Sequence, residues 1–271
     1  ANTTGSNNTG IGNEALTAST TASNNVAVGA ASLDANTTGA NNVAIGQLSL
    51  SGNTTADDNT AVGKGSLQSN TTATRNTAVG KDAMTTNTVG QYNAAFGYYS
   101  LGANTTASYN SGFGHLTLAA NTDGDRNTAV GAFALDANTT ADKNTGIGYQ
   151  ALSANTTGGD NTALGAFALL ANTTGNNNVA VGQGSLESNV ASGWNVAIGL
   201  GALQQNVSGS YNTAVGTYAL GSNTASENSA FGYNALNDNT SGNYNTGIGR
   251  EALSANTTGT VSYTHLRAHE T

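Results

Sequence analysis

"NTALGAFALLANTTGNN", residues 161–177, runs directly into "NVAVGQGSLESNVASGW", residues 178–194. Both strings open on Asn, carry Gly at the fifth place, Leu at the ninth and Asn at the twelfth. On both sides of this pair the same Gly recurs, at 12, 29, 46, 63, 80, 97, 114, 131, 148, 165, 182, 199 and 216, an unbroken step of 17, and then at 232 and 249. The single step of 16 lies in "NTASENSAFG", where one residue is missing between Asn223 and Asn228. That stretch is polar, and a deletion tolerated there marks a loop. A fixed period of this length is the signature of stacked repeats, each too small to fold alone.

The consensus is N-T-A-V-G-x-x-A-L-x-x-N-T-T-G-x-x, its places numbered 1 to 17 from Asn8, Asn25 and so on to Asn245. Residues 1–7 are a partial repeat, residues 8–260 hold fifteen repeats, and residues 261–271 stand outside them. Place 4 is always a larger apolar residue, from Ile11 and Val28 through Phe96, Phe113 and Leu164 to Ile248. Place 9 is Leu except for Met84, place 3 is only Ala or Gly, and place 8 is only Ala, Ser or Thr. All twenty charged side chains within the repeats sit at places 6, 7, 10, 11, 14, 16 and 17. Charged groups are almost never fully buried unless paired, so places 1 to 5, 8, 9, 12 and 13 are expected to be inner or tightly packed.

Helix is disfavoured, because Asn, Thr, Gly and Val are poor helix formers and each repeat offers only two larger apolar side chains. Places 2 to 4 read as a short strand, Gly29, Gly46, Gly63 and their equivalents as a corner, and places 7 to 9 as a second strand. The expected fold is all-β: a parallel β-solenoid, or β-roll, of about 15 coils of 17 residues with two or three short strands each. At a strand spacing of ~4.8 Å such a stack makes a rod roughly 70 Å long. Stacking also explains the Asn residues. Asn25, Asn42, Asn59 and Asn76 at place 1, and Asn36, Asn53 and Asn70 at place 12, would form two ladders bonded along the column and to turn backbone, with Ser19 the one exception. Asn36-Thr37-Thr38 also matches a glycosylation acceptor, but a ladder residue is tied up.

"NNVAVG", "NNVAIG", "WNVAIG" and "NTAVG", recurring at coil spacing, resemble the head repeats of trimeric autotransporter adhesins. "NTAVGxxAL" and "NTTG" phrases are also similar to repeats of phage and bacterial tail-fibre and surface proteins. The likeness covers residues 8 to about 259. It implies a left-handed roll, three chains about one axis as a homotrimer, and a surface that binds host matrix or cells. The implied location is extracellular: a cell surface with an outer-membrane anchor, or a virion tail fibre. "VSYTHLRAHET", residues 261–271, resembles one reading frame of a common transposase-based sequencing adapter. This tail is expected to be non-native and disordered, with the natural C-terminus absent, and a start at Ala1 without Met predicts a lost beginning.

Composition narrows the partners. The chain has no Cys and seven Lys and Arg scattered along 271 residues with a net charge of −8, which disfavours nucleic acid and removes disulfides and thiolate chemistry. No apolar run approaches the roughly 18 residues that span a bilayer, so no membrane contact is expected within this segment. Catalysis finds no footing, since the only repeat histidine, His115, lacks a fixed acidic partner. Asp57–Asp58 and Asp123, Asp125 and Arg126 could hold a cation only weakly because they do not recur, and no cofactor or metal is expected.

Surface aromatics are the main deviation from the consensus. Tyr98, Tyr149 and Tyr233 share place 6; Tyr99, Phe133, Phe167 and Tyr218 share place 7; Tyr92, Tyr109, Trp194, Tyr211 and Tyr244 share place 17. They either cover a subunit seam or cap strand edges, or they contact sugar or protein, and both readings make them interface residues. Tyr98, Tyr99, Tyr149, Trp194, Tyr211 and Tyr244 are the candidate ligand contacts. The sequence thus points to a non-enzymatic, adhesive fibre segment whose partner is a host-surface glycan or protein held by multivalent contact. Its rival is ice binding by stacked Thr at place 13, namely Thr37, Thr54, Thr71, Thr105, Thr139, Thr156 and Thr173, a column interrupted by Val190 and Val207.

Overall fold

The computed structural model describes residues 2–265, and the chain divides into two compact units, Ala1–Thr140 and Ala141–Thr271. The first holds strands β1 (Thr9–Ile11) to β8 (Thr128–Val130), and the second holds β9 (Thr145–Ile147) to β16 (Tyr263–His265). Within each unit every strand pairs in parallel with the next in sequence, like place upon like place. Val43, Ala44 and Ile45 lie beside Thr60, Ala61 and Val62, and Val179, Ala180 and Val181 beside Val196, Ala197 and Ile198. The fold is an all-β parallel solenoid of about fifteen turns at 17-residue spacing, with no helix among the described residues.

Each coil holds one strand, at places 2 to 4, and the second strand expected at places 7 to 9 is absent from the described residues. Places 7 and 9 lie instead in the left-handed region, as at Ala31 (φ 52), Leu33 (φ 52), Leu48 (φ 59) and Leu50 (φ 53). An apolar alternation reports which side chains share a face and is blind to the sign of φ, so a chain of turns imitates a strand. The turns are nonetheless bonded from coil to coil: Ala31 N–H donates to the Asn13 carbonyl and Leu33 N–H to the Ser49 carbonyl. Within a coil, Ser32 N–H closes on the Gly29 carbonyl and Asn36 N–H on the Leu33 carbonyl. The positive φ at the third residue of the first of these turns is the geometry that ordinarily selects Gly or Asn.

The core is narrow. Ala27, Ala44, Ala61 and Ala78 at place 3 are fully buried, and so are Leu33, Leu50, Leu67 and Met84 at place 9. Place 4 is not inside, contrary to the reading from charge exclusion. Ile45, Phe96, Phe113, Leu164, Ile198 and Phe231 are 37–45% exposed, because place 3 points inward and its strand neighbours must then point out. Place 5 can only be Gly. At Gly46 φ is +132, and an added Cβ would stand 2.6 Å from the carbonyl group of Gly63 in the next coil.

Residues 261–265 of the tail lie within the described part, and the chain pairs there with the last repeat. Tyr263–His265 forms β16 beside β15 (Thr246–Ile248), with Thr246 N–H donating to the Ser262 carbonyl. The free edge of β15 offers backbone groups, and backbone pairing asks nothing of side-chain identity. Residues 266–271 of that tail, and Ala1 of the partial repeat, lie outside the described residues.

Candidate functional surface

The two Asn columns shape the loop that precedes each strand. Asn25 and Asn36 both donate their side-chain Nδ2 to the Gly39 carbonyl, each at 2.9 Å. Asn53 repeats this on Ala56, and its Nδ2 also reaches Asn36 Oδ1 at 2.9 Å; Asn70 reaches Asn53 Oδ1 at 3.1 Å. Along place 1, Asn42 and Asn59 backbone N–H groups donate to Asn25 and Asn42 Oδ1 at 2.9 Å, and that of Asn76 to Asn59 Oδ1 at 3.0 Å. These amides are fully buried, so Asn36 is inaccessible to a glycosyl group. Gly29, Gly46 and Gly63 stand at the corners with φ between +128 and +135.

Three further constraints lie outside the apolar and charge patterns. Place 15, where both amides converge, is only Gly, Ala or Ser, and an added Cβ at Gly39 would meet the Ala56 carbonyl oxygen at 2.3 Å. Place 16 supplies side-chain acceptors to the coil before it: Asp57 Oδ1 takes the Ala40 N–H at 2.6 Å and Asp125 Oδ1 that of Ser108 at 2.7 Å. Places 7, 9 and 17 are left-handed throughout, and within the repeats 8–260 none holds Val, Ile or Thr. That last signal was readable, because a β-branched residue at positive φ is a true outlier.

The Asp residues singled out as weak cation holders are therefore spent within the chain. Asp58 accepts from Asn41 and lies 3.8 Å from Arg75, and Asp123 accepts the Thr106 hydroxyl at 2.5 Å. Among the described residues no three His, Asp or Glu side chains gather closely enough to hold a metal ion. Burial pushes the Asp136 carboxyl above its ordinary value, against two backbone hydrogen bonds that pull it down, and its Oδ1 has no hydrogen-bond partner among the described residues. The Thr column is also engaged: Thr37, Thr54, Thr88, Thr105 and Thr156 hydroxyls donate at 3.0–3.2 Å to the carbonyl one coil on.

The aromatic side chains form columns. At place 17, Tyr92 and Tyr109 stack at 5.0 Å and 4°, and Trp194 and Tyr211 at 5.3 Å and 9°. At place 6, Lys81 lies over Tyr98, which stacks on His115, and the edge of His115 meets Phe133. Tyr99 is half-buried over Gly102, where a Cβ would collide with its ring at 2.4 Å, whereas Tyr149 is exposed and meets Phe167 edge-on at 5.5 Å. Tyr244 has no ring neighbour at the adjacent coil, because Glu227 occupies place 17 there. The six candidate contacts thus fall into separate columns. In the stacked pairs each ring has one face covered by its neighbour, and Arg75 lies over the other face of Tyr92.

No family model matches the chain, and comparison with curated proteins and with solved structures finds no match either. Fold and surface together define a parallel β-solenoid repeat protein, with a buried Asn framework, an apolar stripe outside and aromatic columns beside it.

Proposed function

We propose that the chain is a non-catalytic segment of an extracellular fibre, of an adhesin or a tail fibre, in which three copies pack their apolar stripes together and the remaining surface binds host glycans or proteins by many weak contacts. One observation carries this reading. Place 4 excludes charge in all fifteen repeats, yet the chain leaves it exposed or half-buried, exposed at Ile45 and Phe96 in the first unit and at Ile198 and Phe231 in the second. A stripe that is consistently apolar but not covered by its own chain is what an interface looks like before its partner arrives. Phe96 and Phe113 even stack on each other at 4.9 Å on that outer face. Ice binding draws less support, because the Thr hydroxyl protons are already committed to carbonyls.

Light scattering tests the assembly. The expected particle has three times 26.8 kDa and is reduced to one chain by the combined substitution Phe96→Lys, Phe113→Lys and Ile147→Lys. A monodisperse 26.8 kDa particle from the unsubstituted chain at micromolar concentration would contradict it.

A further inference from the structure

Place 17 contains a gap in its aromatic column. Tyr211 and Tyr244 stand two coils apart, roughly 10 Å at the strand spacing, and Glu227 sits at the coil between them. All three residues share one backbone conformation, with φ of 61, 62 and 59 in chain order, so their side chains leave the coil in the same direction. Tyr211 and Tyr244 are 58% and 56% exposed, and an open cavity of about 420 Å³ is lined by Tyr211 and Glu227. Trp194 backs Tyr211 on its other face and stiffens that wall. The Glu227 carboxylate is exposed and has no cationic partner among the described residues.

The chain itself shows what fills such a column. In the first unit Arg75 occupies place 17 between Asp58 and Tyr92: its Nε is 3.8 Å from the carboxylate, its guanidinium lies 5.4 Å from the ring centre, and Nη1 donates to the Tyr92 hydroxyl at 2.6 Å. Lys81 over Tyr98 and Arg250 over Tyr233 repeat the arrangement at place 6, each 5.6 Å from the ring centre. Three of the seven basic residues are thus held on a ring one coil away, and the net charge of −8 favours a further cation.

We infer that the cavity lined by Tyr211 and Glu227 is a binding site for a guanidinium group, an arginine side chain of a partner protein, held on the exposed ring of Tyr211 with the carboxylate of Glu227 as its counter-ion and Tyr244 flanking it one coil on. The attraction has two parts, cation to ring quadrupole and cation to carboxylate, and a slot open to water makes each modest. Single-site affinity is therefore expected in the millimolar range and gains strength only when several arginines engage. The site deepens the proposed surface contact and rests on that reading only in assigning the cation to a protein.

The test is NMR of the full chain with ring-labelled tyrosines, titrated with arginine amide, the signals assigned through Tyr211→Phe and Tyr244→Phe. The Tyr211 and Tyr244 signals should move saturably while Tyr92, already under Arg75, stays still, and Glu227→Gln should weaken binding about fivefold. No saturable shift, an unchanged affinity in Glu227→Gln, or a response to methyl glycosides but not to arginine amide would overturn the inference. The oligomeric state does not enter this readout, so a monomeric chain that binds arginine amide keeps the site and loses only the trimer.

Discussion

Leu at place 9 packs the core from a backbone that disfavours it. Leu118 is fully buried at φ 50, and its N–H donates to the Ala134 carbonyl one coil on. The left-handed conformation costs on the order of 1–3 kcal/mol and persists because the neighbouring coils fix it. A second branch at Cβ would deepen that cost, which is why the place accepts Met84 but never Val or Ile. Leu118→Met should cost under about 1.5 kcal/mol in chemical denaturation, and Leu118→Val about 2–4, even though Val is the smaller residue. Asp136 offers a second test at this scale. Its folded-state affinity for a proton is raised by burial, so ionisation is penalised on folding and stability falls as pH rises through the carboxylate range. Asp136→Asn should therefore raise the melting temperature at neutral pH, with a stability gain under about 1 kcal/mol for a partly solvated group, and the gain should vanish below the ordinary Asp value of 3.8.

The element of this fold is the coil, closed by two amides on one carbonyl. Asn70 donates to Asn53 Oδ1 and to the Ala73 carbonyl, and its own Oδ1 accepts from Asn87. Removing it strands buried polar atoms in two neighbours, so Asn70→Ala should cost about 2–4 kcal/mol by thermal or chemical unfolding. Asn70→Asp should cost more at neutral pH and less in acid, because only the protonated acid can donate. The shortened loop obeys the same closure: Asn223 reaches the Ala225 carbonyl two residues on, where other coils span three, and strand register continues unbroken through Ser229 and Thr213. Sequence made this framework legible, since Asn at places 1 and 12 and Gly at place 5 are requirements of identity that recur in nearly every copy. It concealed the turns at places 7 to 9 and the outward face of place 4. Apolar spacing carries no sign of φ, and charge exclusion records contact with anything, this chain or another.

At the scale of the molecule, neither unit has a coil that could stand alone. One buried Leu and a few small residues cannot offset the ordering of seventeen residues, so stability comes from each coil's bonds to the next. The aromatic columns show how far the surface is legible: their positions were readable from Tyr92, Trp194 and Tyr211, but which ring faces remain open depends on stacking between coils. Everything rests on like residues standing in register on neighbouring strands. A chain free of Cys allows this to be measured directly, through Ile45→Cys with Val62→Cys, which are paired across adjacent strands, and Ile45→Cys with Val79→Cys, two coils apart. Under mild oxidation a rapid disulfide is expected within single chains for the first pair and none for the second, roughly 10 Å apart. Failure of the adjacent pair to bridge, or equal bridging by both, would contradict that register.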